Sequence, residues 1–520
     1  MDECMDLTAC PMPPTAHQLT AIGKIVAEPP YTFLCDEMGM GKSKSVIDSA
    51  SLLCSMGRID RVIVIAPSSV KPVWLDQELG QLATHCWPTI SNRITHYHRT
   101  TALKKRRHEW FTGHGPVGLH WLVSNYEFIR RGFKRGSRYI PPHLETLLSL
   151  CTDRTLLVLD ESSAVKTSRA LQTRACMHLR RACGRVVLMT GTPIAHSPMD
   201  LLSQANLLHP SILSDIHGTT TNIIQFRSRY CDMGGFQGRQ ILRFRNLEDL
   251  QDRLKPHTLR RLKKDCLDLP KKLDPVTITT TLSAASWKTY KEMRDHMIVE
   301  LGGSVSVAQQ AVTKLIRLSQ LTSGMIGGIE GSPDVIHILS HEKIDTLTAW
   351  VTEQIEADPC FKLVIWTMFR ADVERVYNAL RDLPISTGDP PALRDIGVLW
   401  GQSKPKERDH ALRLLHPSTA PEGAAIVVGT PATGSMGITL AASHTVLYMN
   451  NSHSLNIRVQ SEDRTHRPGT THAVSYFDLV CEGPAGQKTI DHIVLRALRQ
   501  KRDLAEWTAS AWLDALKETR

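Results

Sequence analysis

An eight-residue stretch, Asp36-Glu37-Met38-Gly39-Met40-Gly41-Lys42-Ser43, has the composition of an anion cradle. Closely spaced glycines let backbone N–H groups close around a phosphate. The lysine that follows reaches the β- and γ-phosphates of a nucleotide, and the serine hydroxyl suits Mg2+. The strict form of such a loop carries glycine where Asp36 stands, and a glycine turn capping an ordinary strand–helix unit would use the same letters. The chemistry therefore needs partners. One is Leu156-Leu157-Val158-Leu159-Asp160-Glu161, an apolar run that delivers two carboxylates: Asp160 placed for Mg2+, Glu161 for orienting or deprotonating a water. Alone, an Asp-Glu pair there also reads as a helix N-cap. The other is Gln460-Ser461-Glu462-Asp463-Arg464-Thr465-His466-Arg467. Arg464 and Arg467, three apart, face one way on a helix or tight turn and can stabilise charge on a departing γ-phosphate. A surface ion-pair run with Glu462 and Asp463 is the plainer reading of the same letters.

These groups need a scaffold that brings distant strand ends together. Tyr31–Cys35 reads as a buried strand before the glycine loop, and Lys42–Leu53 as the helix after it. Further short apolar runs at Val62–Ala66, His120–Val123, Thr155–Leu159 and Arg185–Met189 alternate with helix-length stretches such as Pro72–Ala83. That rhythm predicts a parallel sheet covered on both faces. A second such rhythm starts near Lys343, with strands expected at Lys362–Trp366, Ile396–Leu399, Ala424–Val428, Thr445–Met449 and Val474–Asp478. Helices are expected at Arg370–Asp382, Lys404–Leu415 and Gln487–Glu506. The fold class is α/β, with two parallel-sheet lobes at 1–210 and 341–520. The charged, helix-rich segment 211–340 is expected to form helical protrusions and a linker.

With 520 residues there is room for two to four domains. No apolar stretch approaches the ~18 residues of a membrane span, and the acidic start Met1-Asp2-Glu3-Cys4 lacks the basic region of a secretory signal. Twelve scattered cysteines include no C-x-x-C pair, which suits thiols in a reducing compartment. The expected location is the cytoplasm, or that of a host cell for a phage-encoded chain. The net charge of +10 is concentrated: Arg99 to Arg138 holds ten basic residues against two acids, and Arg239 to Lys272 eleven against five. Such blocks fit phosphate-backbone contacts, or a solvated basic face.

In chain order, these motifs resemble a superfamily 2 helicase-like ATPase of the Swi/Snf type over nearly the whole sequence. His17-Gln18 resembles the Q motif, and a leading aspartate at Asp36 is normal in that family's P-loop. Ala66-Pro67-Ser68-Ser69-Val70 with Trp74 and Glu78 looks like motif Ia, Ser124-Asn125-Tyr126-Glu127 like motif Ib, and Leu188 to Ile194 like motif III. Asp160-Glu161-Ser162-Ser163 stands where many members have Asp-Glu-Ala-His, so Ser163 replaces a histidine that links motif II to others. Leu259 to Asp265 with Leu269-Pro270 is similar to a basic segment of the Swi/Snf branch. Val364 to Phe369, Thr430 to Leu440 (with Ser435 at a common glycine position) and Gln460 to Gly469 resemble motifs IV, V and VI. No flanking stretch resembles a bromodomain, chromodomain or finger, which likens the chain to compact phage and bacterial members.

The resemblance implies two RecA-like lobes with ATP and Mg2+ as cofactors and DNA as partner, duplex or branched DNA being favoured and RNA an open alternative. Gln18 would read adenine, and Met38, Gly39, Met40, Gly41, Lys42, Ser43 and Lys44 would hold the phosphates. Ser43 and Asp160 would place the metal, Glu161 would activate water, and Gln460, Arg464 and Arg467 would act on the γ-phosphate. Ser68, Ser69, Lys71, Ser124, Asn125 and Thr430 would meet the polynucleotide, with Arg260, Arg261 and Lys104–Arg107 as an outer grip. The activity implied is nucleic-acid-stimulated ATP hydrolysis driving translocation. The alternatives are a strand-separating helicase and a catalytically silent nucleic-acid-binding scaffold.

Overall fold

Runs of Val, Ile and Leu with few polar breaks become strands that are buried on both faces, because β-branched side chains pack well on a pleated surface. The structure, a computed structural model, describes residues 6–68, 70–77, 80–98, 118–133, 139–194, 197–215, 219–235, 240–301, 308–329, 332–383, 393–431, 438–452, 454–467 and 470–500. It divides into two compact units, with the boundary between Leu267 and Asp268.

In the first unit the strands are β1 (Tyr31–Leu34), β2 (Arg61–Ala66), β3 (Ser91–His96), β4 (Gly118–Asn125), β5 (Thr155–Leu159), β6 (Arg185–Met189) and, after a hairpin of β7 (Cys231–Gly234) and β8 (Gln240–Phe244), β9 (Thr258–Leu259). Seven of them form one sheet in the order β3-β4-β2-β5-β6-β1-β9, and every pairing in it is parallel. Side-chain alternation feeds two cores: Ile63, Ile65, Leu157 and Leu159 pack on one face, and Val62, Val64, Leu156 and Val158 on the other. Helices α1 (Ala16–Val26), α2 (Lys42–Ser55) and α3 (Lys71–Leu75) carry the residues that matter below. The expected helix at Pro72–Ala83 is two short ones, α3 and Gln81–His85.

The second unit has strands β10 (Val276–Thr281), the hairpin β11 (Met325–Ile329) and β12 (Ser332–Ile338), then β13 (Lys362–Trp366), β14 (Leu393–Leu399), β15 (Ala424–Gly429), β16 (Thr445–Tyr448) and β17 (Ser475–Glu482). Its six-stranded sheet, ordered β10-β17-β16-β13-β15-β14, is also parallel throughout. Leu363, Ile365, Ile426 and Val428 face one core, and Val364, Trp366, Val427 and Val446 the other. Among the described residues no helix is long and apolar enough to cross a membrane.

Segment 211–340, expected as helical protrusions and a linker, is shared between the two units. Its part up to Leu267 belongs to the first unit, where β9 pairs with β1, and the rest belongs to the second, where β10 pairs with β17. The Val-Thr-Ile-Thr-Thr-Thr run of β10 is β-branched at every position, a strand signal masked by its polar hydroxyls.

Candidate nucleotide and nucleic-acid site

The chain leaves β1 at Leu34, makes the glycine loop and enters α2. Gly41 is the N-cap of α2 in the left-handed region, with φ +77°, a conformation that glycine adopts without strain. A Cβ there would also collide with the side-chain amide nitrogen of Gln18. Gln18 is held for this contact: its Oε1 accepts from the Thr15 N–H at 3.0 Å in a capping box, which turns the amide nitrogen toward the loop. The neighbouring His17 ring nitrogen hydrogen-bonds the Met40 carbonyl at 2.9 Å. Lys42 Nζ donates to the carbonyls of Asp36 at 2.7 Å and Glu37 at 3.1 Å, so the ammonium sits within its own loop. Met38 and Met40 are buried, and a Cβ on Gly191 would collide with Met38, which puts motif III against the P-loop.

Two expectations change here. Lys44 is turned away from the loop, because its ammonium pairs with the fully buried Asp48 carboxylate at 2.5 Å. Only its backbone N–H is left to face a phosphate. Arg260 and Arg261, expected to grip DNA, instead brace the P-loop. Arg261 forms a bidentate ion pair with the buried Asp36 carboxylate, its Nε bond being 3.0 Å, and also donates to the His17 carbonyl. Arg260 donates to the carbonyls of Cys35 at 3.3 Å and Gly191 at 3.5 Å. Glu37 accepts the Lys263 N–H at 2.7 Å. The cause is β9: pairing with β1 carries the basic segment directly behind the loop. It also explains why an aspartate opens the P-loop.

Asp160 and Glu161 leave the end of β5, beside β2. Burial pushes the Asp160 carboxyl up from its usual range, while a hydrogen bond from Trp74, the nearby Lys42 charge and the Glu161 N–H oppose that rise. Trp74 Nε1 donates to Oδ2 at 2.8 Å, the Glu161 N–H to Oδ1 at 2.9 Å, and the Tyr126 hydroxyl to the Asp160 carbonyl at 2.8 Å. Glu161 adopts φ +49°, a strained conformation for a non-glycine residue, of the kind that gathers at functional sites. The Asp160 carboxylate at the end of β5 and the Ser43 hydroxyl near the start of α2 are hard oxygens of the kind that could hold Mg2+, which keeps several waters and uses few protein ligands. Among the described residues no three His, Cys, Asp or Glu side chains gather as a metal cage. The link that Ser163 leaves open is made by its neighbour. Ser162 Oγ donates to Gln204 Oε1 at 2.9 Å, and Gln204 Nε2 donates to the Pro193 carbonyl of motif III at 2.9 Å.

Adjacent ends of β2 and β4, in register at Ala66 and Asn125, bring motifs Ia and Ib together. The Asn125 amide donates to the Ser68 hydroxyl, which donates to Glu127 at 2.8 Å. The Glu127 charge also favours the protonated form of Lys71, whose pKa burial lowers overall. Ser124 does not join this strip: it is buried, and its hydroxyl donates to the Tyr97 carbonyl at 3.0 Å. Ser69, Glu78 and Lys104–Arg107 lie outside the described residues.

In the second unit, Gln460 lies on the helix Leu455–Glu462, and Arg464 and Arg467 on the turn after it. Leu440 N–H donates to the Arg464 carbonyl at 2.9 Å, and Arg467 Nη1 donates to the Ile438 carbonyl at 2.7 Å, which stitches motif VI to motif V. Thr430 caps the end of β15, while 432–437, including Ser435, lie outside the described residues. Glu462 is fully buried rather than part of a surface run. It receives Arg458 at 2.6 Å and Lys272, and Arg458 also pairs with Asp478 and stands 3.6 Å from the Tyr448 ring centroid. Arg458 is the residue that sequence reading missed here; its i, i+4 spacing to Glu462 was the available signal.

A glycine loop, an acidic pair and a glycine-threonine motif at the ends of neighbouring parallel strands define a P-loop class of α/β lobe. The model of the SNF2-related domain matches residues 28–323, and the chain belongs to that family. It is 23% identical over 496 residues to the nuclear protein STH1/NPS1 of Saccharomyces cerevisiae, covering 91% of this chain and 33% of that protein. It is 24% identical over 481 residues to the probable ATP-dependent DNA helicase CHR12 of Arabidopsis thaliana, covering 90% and 39%. The chain thus spans well under half the length of these curated relatives. Among solved structures, the Sulfolobus solfataricus SWI2/SNF2 ATPase core in complex with dsDNA aligns over 98% of this chain and 96% of that one, with 18% identity and a TM-score of 0.41.

Proposed function

We propose that this chain is an ATP-dependent motor that couples ATP hydrolysis to movement along duplex or branched DNA. The observation that carries the reading lies within one sheet: the P-loop after β1, the Asp160–Glu161 pair after β5, motif III after β6 and the Ser68–Asn125 strip after β2 and β4 share its C-terminal edge. Ligands of open parallel sheets bind at that edge. Lys42 exchanges its loop carbonyls for the β- and γ-phosphates, the N–H groups at the start of α2 point at the same charge, and Gln18 selects adenine. Ser43 and Asp160 would hold Mg2+, which would supply charge neutralisation of the phosphates. Glu161 orients the attacking water and takes its proton as the bond to the γ-phosphorus forms, with ADP leaving. From the second unit, Gln460, Arg464 and Arg467 act on the γ-phosphate during turnover, and Thr430 meets the polynucleotide.

The test is the ATPase rate of the purified chain with single-stranded, duplex and forked DNA and with RNA, alongside triplex- and strand-displacement assays. Stimulation by duplex DNA with triplex displacement but no strand separation is the expected pattern. Strand separation at a rate matching hydrolysis would make the chain a helicase, and no hydrolysis under any condition would leave only the scaffold.

A further inference from the structure

Asp160 is gripped from two sides by residues whose chain neighbours face outward. Trp74 holds its carboxylate and Tyr126 its carbonyl, each at 2.8 Å, and both rings are buried. Trp74 stands one helical turn after Lys71 on α3, and Tyr126 lies between Asn125 and Glu127. We propose that Trp74 and Tyr126 are positioning residues that transmit occupancy of the Ser68–Lys71–Asn125–Glu127 strip to the Asp160 carboxylate. The inference rests on the motor reading above and deepens it, since it names how a polynucleotide accelerates hydrolysis.

The strip holds its own donors in check. The Asn125 amide is spent on Ser68, the Ser68 hydroxyl on Glu127, and the Glu127 charge acts on Lys71. An arriving backbone phosphate competes for the same hydroxyl, amide and ammonium groups, and its charge repels Glu127. That exchange moves the backbone on either side of Tyr126 and the turn that carries Trp74. Neither ring can absorb the shift alone, because a close-packed interior transmits displacement. Indole N–H is a donor only, so it fixes the direction of Oδ2 without taking a proton from it or giving one up. The set of the carboxylate, rather than its charge, is what changes.

Tyr126→Phe and Trp74→Phe each remove one hydrogen bond and keep an aromatic ring. In the full chain, with a fixed-length duplex as probe, each should lower the ratio of DNA-stimulated to basal ATPase rate by about two- to tenfold, the fold-change of a single hydrogen bond. Duplex affinity and its salt slope, measured without nucleotide, should stay within about twofold, since neither ring faces the strip. Trp74→Phe should also raise the Mg2+ concentration for half-maximal rate. Wild-type stimulation retained in both variants overturns the relay, as does a parallel fall of basal and stimulated rates with an unchanged ratio. Should Trp74→Phe fail to fold, the nearly isosteric Tyr126→Phe decides alone. If the wild-type chain responds to no polynucleotide, the motor reading itself falls, a result distinct from failure of the relay.

Discussion

The two sheets share a parallel architecture, yet they hold their charged motifs in different ways. In the first unit three of the candidate groups are each tied to a separate neighbour: Asp36 to Arg261, Asp160 to Trp74, and Gln18 to Thr15 in the cap of α1. In the second unit the charges nearest the finger arginines are spent on each other, with Arg458, Glu462, Lys272 and Asp478 forming a buried, mutually neutralised hub. The first arrangement sets a cradle that can meet a ligand at several points. The second builds a rigid base from which Arg464 and Arg467 leave on a turn. Preorganised donors stabilise a transition state only if they do not have to reorganise when charge develops.

The largest expected effect lies in the cradle. Lys42→Ala should lower turnover at least ~10²-fold, as removal of a positioned charge partner does, and Glu161→Gln should retain ATP binding while turnover stops. Nucleotide-binding and rate measurements on the same preparations check both, and near-normal turnover in folded Glu161→Gln protein would remove its assigned role. In the second unit, Arg464→Ala should slow hydrolysis by ~10³ with little change in nucleotide affinity, because its interaction with the γ-phosphate forms chiefly in the transition state. Arg458→Ala should behave in the opposite sense: it leaves Asp478 buried without its cation and Glu462 with Lys272 alone, costing about 3–5 kcal/mol of unfolding free energy in urea titrations. Equal rate defects and equal stabilities for the two variants would erase the distinction between finger and hub.

A smaller effect separates bracing from gripping. Arg261→Ala leaves the Asp36 carboxylate buried without its bidentate partner, so basal hydrolysis should fall while the salt slope of duplex binding stays unchanged. A flattened slope with intact basal rate would return that segment to DNA. The smallest effect belongs to Lys71→Ala, which should reduce the slope by ~0.9 on duplex DNA, because one phosphate is no longer neutralised.

Strands were the most legible part of the sequence. Expected runs at Thr155–Leu159, Arg185–Met189 and Lys362–Trp366 coincide with β5, β6 and β13, because a strand buried on both faces must be a short unbroken apolar run. Two edge strands were not legible, β3 (Ser-Asn-Arg-Ile-Thr-His) and the threonine-rich β10, since an edge needs less burial and so leaves less pattern, whereas the edge strand β14 kept enough apolar residues to be expected at Ile396–Leu399. The glycine loop and the acidic pair stood out at the ends of expected strands, although a plain turn or an N-cap would use the same letters. Their supports were not legible as supports: Trp74 and Tyr126 were seen only as members of motifs Ia and Ib, and Gln204 not at all, until a carboxylate or carbonyl is found against them.

What the sequence by itself determined was therefore the set of local decisions: which runs pair as strands, where glycine permits a loop at φ +77°, and which side chains are of a type suited to phosphate chemistry. Direction was left to the tertiary structure. Lys44 and Ser124 were expected to meet phosphates, yet their side chains point inward to Asp48 and Tyr97, and Arg261, basic enough for DNA, closes on Asp36 because β9 docks beside β1. Chain separation explains the difference. A partner 225 residues away leaves no trace in local spacing, and a buried carboxylate recruits whichever cation the sheet order places behind it.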